Sequence, residues 1–183
     1  IVDFVKENLF HAQKILGDQV GHNIHLIHGD ATCLPFPDDS ISLYWSSQTL
    51  QHVPNIRLAL QEGWRILKDG AWLINYSFNR AWLVEAIYRF LRKTYVVEGK
   101  ANQFWLARAT PTQRRIFEDV FGCPVNVRFT EILFQPNFGF RSGKEGSLLG
   151  KFDARLSNTN PFWSWLARQQ SYEVKKVKEN NVI

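Results

Sequence analysis

Short apolar runs and segments with helically spaced apolar side chains alternate along the first part of the chain. Residues 24–28 (IHLIH), 41–47 (ISLYWSS) and 71–78 (AWLINYSF) are each bounded by Gly, Pro, Asp or Asn, which predicts buried strands. Residues 6–16 carry Leu9, Ala12 and Leu16 at helical spacing, and 55–67 carry Ile56, Leu60, Trp64 and Leu67 on one helical face. Ile1-Val2-Asp3-Phe4 reads as the tail of a further strand entering the 6–16 helix. Such alternation requires right-handed crossovers and a mostly parallel sheet covered on both faces, so the fold class is α/β, doubly wound and Rossmann-like. Further along, 112–121 reads as a helix, 125–134 as a long strand and 172–178 as a last strand. Residues 136–165, rich in Gly, Pro, Asn and aromatics, read as an insertion.

Length and composition narrow the class. At 183 residues one domain with a sizeable core is expected over 1–183. Hydrophobic residues at 45% and charged residues at 21% are those of a globular chain, and no apolar run is long enough to span a bilayer. Cys33 and Cys123 lack the paired spacing of a zinc or redox site, so they are expected to be plain buried thiols in a reducing compartment, with the cytoplasm as default. The chain starts at Ile1 and contains no Met, from which a removed upstream segment is expected. Charge is unevenly spread: residues 1–78 hold 5 basic and 8 acidic side chains, and 79–183 hold 17 and 9. The basic part suits surface solubility, or attraction to an acidic acceptor or an anionic membrane surface.

In a doubly wound sheet, ligands sit outside the carboxyl ends of the strands, so the residues that end the apolar runs are the candidates. Asp3 ends the first. A carboxylate there can accept hydrogen bonds from both ribose hydroxyls of a nucleoside, and the same residue type equally serves as a helix cap. The second run ends in Gly29-Asp30-Ala31, where a carboxylate can accept from an adenine amino group and a small Ala leaves room for the ring. A Gly-Asp pair also makes an ordinary turn. His22, His25 and His28 cannot converge on one metal, because His25 and His28 would point to opposite faces of a strand. No metal is expected. No Gly-x-Ser-x-Gly elbow, phosphate loop or Cys-His nucleophile arrangement occurs.

The order of elements is more specific than any one of them. Gly29-Asp30-Ala31 is followed by Leu34-Pro35-Phe36-Pro37-Asp38, then a strand ending in Ser46-Ser47, then Leu50-Gln51-His52-Val53, then Glu62-x-x-Arg65-Ile66-Leu67-Lys68-Asp69-Gly70. This series resembles the class I S-adenosylmethionine-dependent methyltransferases of the type 11 group over about 80 residues. Ser42 stands where that group usually has Asp, and Lys68-Asp69-Gly70-Ala71 replaces Lys-Pro-Gly-Gly. The resemblance implies S-adenosyl-L-methionine as cofactor, with Asp3 on the ribose, Phe4 flanking the adenine, Asp30 and Ala31 at the adenine edge and Ser46 near the methionine moiety. It places His52 near the reacting centre, as a cofactor contact or a base, while Glu62 and Arg65 fasten helix to sheet. It also implies a strand order 3-2-1-4-5-7-6 with an antiparallel C-terminal strand. Ile1–Phe4 then corresponds to strand 2, so the first central strand and its glycine-rich loop are expected to be missing from these residues.

Methyl transfer from a sulfonium asks mainly for positioning, which can supply roughly 7–11 kcal/mol. The acceptor side is expected in 79–111 and 136–168, as a cap or insertions. Residues 80–93 would form a helix apolar on one face and basic at both ends, either packed in the core or serving as a substrate lid or membrane-surface helix. The aromatics Phe134, Phe138, Phe140, Phe152, Phe162 and Trp163 could cover a hydrophobic acceptor. The sequence thus points to an enzyme acting on a small-molecule or lipid-like acceptor. The competing readings are a methyltransferase-like binding module without activity and a nicotinamide dehydrogenase, which fits Gly29-Asp30-Ala31 and Leu34-Pro35-Phe36-Pro37 poorly. Nucleic acid is disfavoured as a partner, for no Asn/Asp-Pro-Pro-Tyr/Phe signature of base-modifying enzymes is present.

Overall fold

A computed structural model describes residues 1–79, 81–92, 112–132, 148–157 and 159–177. In chain order it forms β1 (Val2–Asp3), α1 (Lys6–Leu16), β2 (Ile27–His28), β3 (Ile41–Ser47), α2 (Ile56–Ile66) and β4 (Leu67–Phe78). There follow α3 (Trp82–Phe90), α4 (Thr112–Phe121), β5 (Asn126–Thr130), α5 (Leu148–Leu156) and β6 (Gln169–Lys175). Single 3-10 turns lie at Gly17–Gln19, Leu50–His52 and Pro161–Trp165.

The fold is the expected mixed α/β one. β1 and β2 form one parallel pair; β3, β4, β6 and β5 form a second sheet in that order, with β3 and β4 parallel and β6 antiparallel to both its neighbours. In the order 3-2-1-4-5-7-6, β2 and β1 take the first two places and β3, β4, β6 and β5 the last four. No ladder joins β1 to β3 among the described residues.

Several boundaries differ from the expected ones for physical reasons. The strand expected over 24–28 is only Ile27–His28, because its ladder ends where its two-residue partner β1 does. The strand expected over 71–78 begins at Leu67, running straight on from α2. Between the paired positions Ile41↔Leu67 and Leu43↔Trp72 the register shifts, so Lys68-Asp69-Gly70 bulges out, and Gly70 takes φ 78°, a conformation open to glycine. The last strand is Gln169–Lys175 instead of 172–178, and residue 178 lies outside the described residues. β5 covers Asn126–Thr130 of the expected 125–134 strand: Glu131 leaves it at φ 53°, and 133–134 lie outside the described residues. Of the two cysteines expected to be buried, Cys33 is exposed and Cys123 half-buried, since both fall in loops.

One face of the larger sheet carries Tyr44, Leu73, Val174 and Val127. Helices α2 and α4 cover it. α2 starts at Asn55, whose side chain accepts the Leu58 N–H at 3.2 Å, and buries Ile56, Ala59, Leu60, Gly63 and Ile66 at spacings of three and four. Phe117 of α4 stacks on Tyr172 at 4.6 Å between centroids, and Phe121 stacks on Trp64 at 4.5 Å. The opposite face does not meet the expectation of full cover: among the described residues, Leu43, Trp45 and Trp72 remain 54%, 66% and 45% exposed. Tyr76 touches the edge of Trp45 there, and no described helix lies over them.

Gly63 brings α2 close to the sheet. A Cβ at that position would lie 3.2 Å from the Tyr44 ring and 3.4 Å from Leu73 Cδ1, so the helix sits on the strands with no room for a branched side chain. Gly63→Val should destabilise the fold by about 1–3 kcal/mol through overpacking, read as a lower urea midpoint. An unchanged midpoint would mean that the helix can lift off the sheet without loss.

Candidate cofactor site

The sequence candidates fall at strand ends, in two groups. Asp3 and Asp30 belong to the β1–β2 pair. Because these strands run parallel with Asp3 opposite His28, both carboxylates leave at the same end, and the Gly29 N–H donates to the Asp3 carbonyl at 3.1 Å to close that end. Asp3 Oδ1 accepts the Val5 N–H at 2.7 Å and Oδ2 accepts from Asn8 Nδ2 at 3.1 Å. Asp3 therefore braces the start of α1, and each of its oxygens keeps a second lone pair for a hydroxyl donor. Phe4 is 70% exposed, its carbonyl accepting from His28 Nε2 at 3.0 Å.

Asp30 Oδ1 accepts from both the backbone N–H and the hydroxyl of Thr32, at 2.8 Å each. These bonds hold its carboxyl below the usual carboxylate range, the backbone one contributing most, so it is a ready acceptor near neutral pH. Its other oxygen makes no hydrogen bond among the described residues, and Ala31 beside it is half-buried. His22 and His25 lie in the turns before β2, and among the described residues no three His, Cys, Asp or Glu side chains gather as a metal would require.

Ser46 belongs to the second sheet. Register pairs it with Asn75, and Asn75 with Tyr172, so the three share one row of the face covered by α2 and α4. Ser46 Oγ, both amide atoms of Asn75 and Gln113 Nε2 are buried without a hydrogen-bond partner among the described residues. A buried polar atom left unpaired costs about 1–3 kcal/mol, so this row suits a polar ligand group or ordered water. Asn75 and Gln113 were not among the residues singled out from sequence. The available signal was an amide in the middle of the apolar run 71–78. Tyr44 on the same face is no base near neutrality, since burial pushes its phenol up to about 12.

Beyond Ser47 the chain turns sharply. Gln48 takes φ 55° and donates its N–H to the Tyr76 carbonyl at 2.7 Å, which sets the 3-10 turn Leu50–His52 against the end of β4. Leu50 and Gln51 are buried and His52 is exposed. Nearby, a 460 Å³ pocket is lined by Asn79, Trp82, Arg114, Phe129, Pro161 and Trp165 among others. An open groove of about 520 Å³ runs along α3 past Trp82, Glu85, Ala86, Arg89 and Phe90. Helix α3 covers Trp82–Phe90 of the expected 80–93; Arg80 and Lys93 lie outside the described residues, as do Phe134, Phe138 and Phe140. No described helix is long and apolar enough to cross a membrane.

Glu62 and Arg65 hold the loop between β2 and β3. The Arg65 guanidinium donates to both oxygens of Glu62 (2.9 and 2.8 Å), to the carbonyls of Phe36 and Leu34 (2.9 and 3.1 Å) and to Asp38 (2.6 Å). Glu62 Oε2 also accepts the Leu34 N–H at 2.9 Å. The pair fastens helix to loop, where fastening to the sheet was expected.

An α/β sheet in this strand order, with acidic residues at the ends of its first parallel pair, has the fold of the class I S-adenosylmethionine-dependent methyltransferases, and the first part of the chain resembles them in sequence. Residues 1–75 match the family described as "Methyltransferase domain". The demethylmenaquinone methyltransferase of Staphylococcus haemolyticus (strain JCSC1435) is 43% identical over 53 residues, 29% of this chain and 22% of that protein. Its counterpart in Staphylococcus aureus (strain JH9) is 28% identical over 135 residues, 65% of this chain and 56% of that protein. The chain thus spans from about a fifth to about half the length of these relatives. Among solved structures, a SAM-dependent methyltransferase of Thermotoga maritima shares the fold with a TM-score of 0.63 at 17% identity, covering 96% of this chain and 72% of that one.

Proposed function

We propose that this chain takes part in methyl transfer from S-adenosylmethionine to a small, lipid-like acceptor. The observation that carries the reading is the pair of carboxylates, Asp3 and Asp30, at the common end of two parallel strands, each with hydrogen-bonding capacity left over. Asp3 holds the ribose hydroxyls, Phe4 flanks the adenine, and Asp30 accepts from the adenine amino group with Ala31 leaving space for the ring. The orphaned hydroxyl of Ser46 fits a polar group of the methionine moiety. The bound cofactor supplies an already activated methyl group. The protein's own part is to align the acceptor and exclude water, with His52 beside the reacting centre.

Support for a lipid-like acceptor comes from the two staphylococcal relatives, each named a demethylmenaquinone methyltransferase, and from the aromatic pocket and groove around Trp82. The basic residues Arg89 and Arg114 beside these hollows suit an acceptor with an anionic or polar head. Titration calorimetry with S-adenosylmethionine tests the cofactor assignment. Asp3→Ala removes a charged acceptor of two hydroxyl bonds, worth about 1.5–3 kcal/mol, so affinity should fall roughly ten- to hundredfold. Equal affinity in the variant would remove Asp3 from the site and the reading with it.

A further inference from the structure

Helix α3 turns an apolar side outward. At 3.6 residues per turn, Trp82, Ala86, Phe90, Leu83 and Ile87 fall within an arc of about 140°. The residues it buries are Val84 and Tyr88, which form a small core with Ala81 and Leu166. Phe90 is 86% exposed and Trp82 50%, and Ile87 and the capping Leu91 are exposed as well. The patch continues into the turn Pro161–Trp165. Trp82 lies 5.3 Å from Trp165 between ring centroids and Trp165 lies 5.5 Å from Phe162, both of these further rings being exposed. The rim is basic: the Arg89 side chain is 81% exposed although it pairs with Glu85 at 3.3 Å, and Arg92 beyond it is exposed. A contiguous apolar patch with a polar rim marks a surface built for a partner.

We infer that this patch seats the chain on an anionic lipid bilayer, with Ile87, Phe90 and Leu91 entering the acyl boundary, Trp82 and Trp165 at headgroup level, and Arg89 and Arg92 against the lipid phosphates. Charge decides between a bilayer and a second copy. A two-fold contact through the patch would crowd the arginines of both copies around one interface, whereas anionic headgroups neutralise them. Residues 79–183, which contain the patch, hold 17 basic and 9 acidic side chains. Tryptophan suits the headgroup level, because its ring is apolar and its N–H still needs a polar partner. A nine-residue helix lies along a bilayer and does not cross it. Only the consequence for the reaction rests on the proposed function: the 460 Å³ pocket shares Trp82 and Trp165 with the patch, so a lipid-like acceptor would pass from the bilayer into it without crossing water.

Co-sedimentation of the 183-residue chain with vesicles of phosphatidylcholine containing phosphatidylglycerol, compared with vesicles of phosphatidylcholine alone, is the test. The chain should pellet with the anionic vesicles, bind the neutral ones more weakly, and lose the difference as salt is raised. Phe90→Asp removes the most exposed ring of α3 and should weaken binding by about tenfold or more. Arg92→Gln should weaken binding roughly fivefold, and on anionic vesicles only. Both positions are exposed, so the urea midpoints of the two variants should match the wild type. A wild-type chain that stays in the supernatant with anionic vesicles overturns the inference, whatever the variants do, and so does Phe90→Asp binding as tightly as the wild type. A dimer abolished by Phe90→Asp, from a chain that ignores vesicles, assigns the patch to a second copy and overturns it too. Calorimetry with S-adenosylmethionine is read separately: no cofactor binding by a chain that binds vesicles would count against the proposed function and leave the docking surface standing.

Discussion

Leu73→Ala should cost about 2–5 kcal/mol, the largest loss expected from any substitution considered for this chain. Leu73 is fully buried at the centre of the covered face, opposite Tyr44 on β3 and Val174 on β6, with its Cδ1 close under Gly63 of α2. Truncation removes apolar surface from contacts on three elements. The surrounding backbone belongs to paired strands and cannot close the gap, so the cavity term adds to the transfer term. The urea midpoint should fall while the slope of the transition stays the same. A loss below 1 kcal/mol would show that α2 settles into the space, contrary to a helix held at both ends by the Asn55 cap and the direct passage into β4.

Glu62→Ala is the second. It deletes the acceptor of two Arg65 bonds and of the Leu34 N–H, and should cost about 1.5–3 kcal/mol. For a chain of this size that is a fall in Tm of roughly 2–4 °C per kcal/mol. The effect carries a pH signature. The Arg65 guanidinium beside Glu62 holds its carboxyl below the usual range against the opposing effect of burial, with the Leu34 N–H helping. A carboxyl whose folded value is depressed contributes stability that is fully present above its unfolded value and is lost as pH falls through the folded one. The difference between wild type and Glu62→Ala should therefore be largest near neutral pH and shrink on acidification below the ordinary carboxylate range. Unfolding curves across that range check it; a difference independent of pH would assign the loss to packing. The loop tethered here runs directly from Asp30, so under the proposed function a drop in S-adenosylmethionine affinity should accompany the loss of stability.

Much of this was legible from the order of residues. Helix α1 over 6–16, β3 over 41–47 and α4 over 112–121 coincide with their expected spans, because each is bounded by a change in hydrophobic period that local chemistry sets. The position of Asp3 and Asp30 at strand ends also followed from where the apolar runs stop. Other features depended on partners distant in sequence. β2 is cut to two residues by the length of β1, and the start of β4 at Leu67 depends on a ladder with β3 and on the bulge at Lys68-Asp69-Gly70. The role of Glu62 and Arg65 appeared only when the loop at 34–38 was brought within hydrogen-bond reach of α2. Gln51 stood in the sequence only as the neighbour of His52, and its bond to the Phe78 N–H at the end of β4 depends on the fold. Sequence by itself determined the periodicities, and with them the fold class and the residues at the strand ends. Tertiary structure alone decided the pairing of Arg65 and Glu62 with the loop at 34–38 and of Gln51 with Phe78, because hydrogen bonds are directional and short, and these partners lie 27 or more positions apart along the chain.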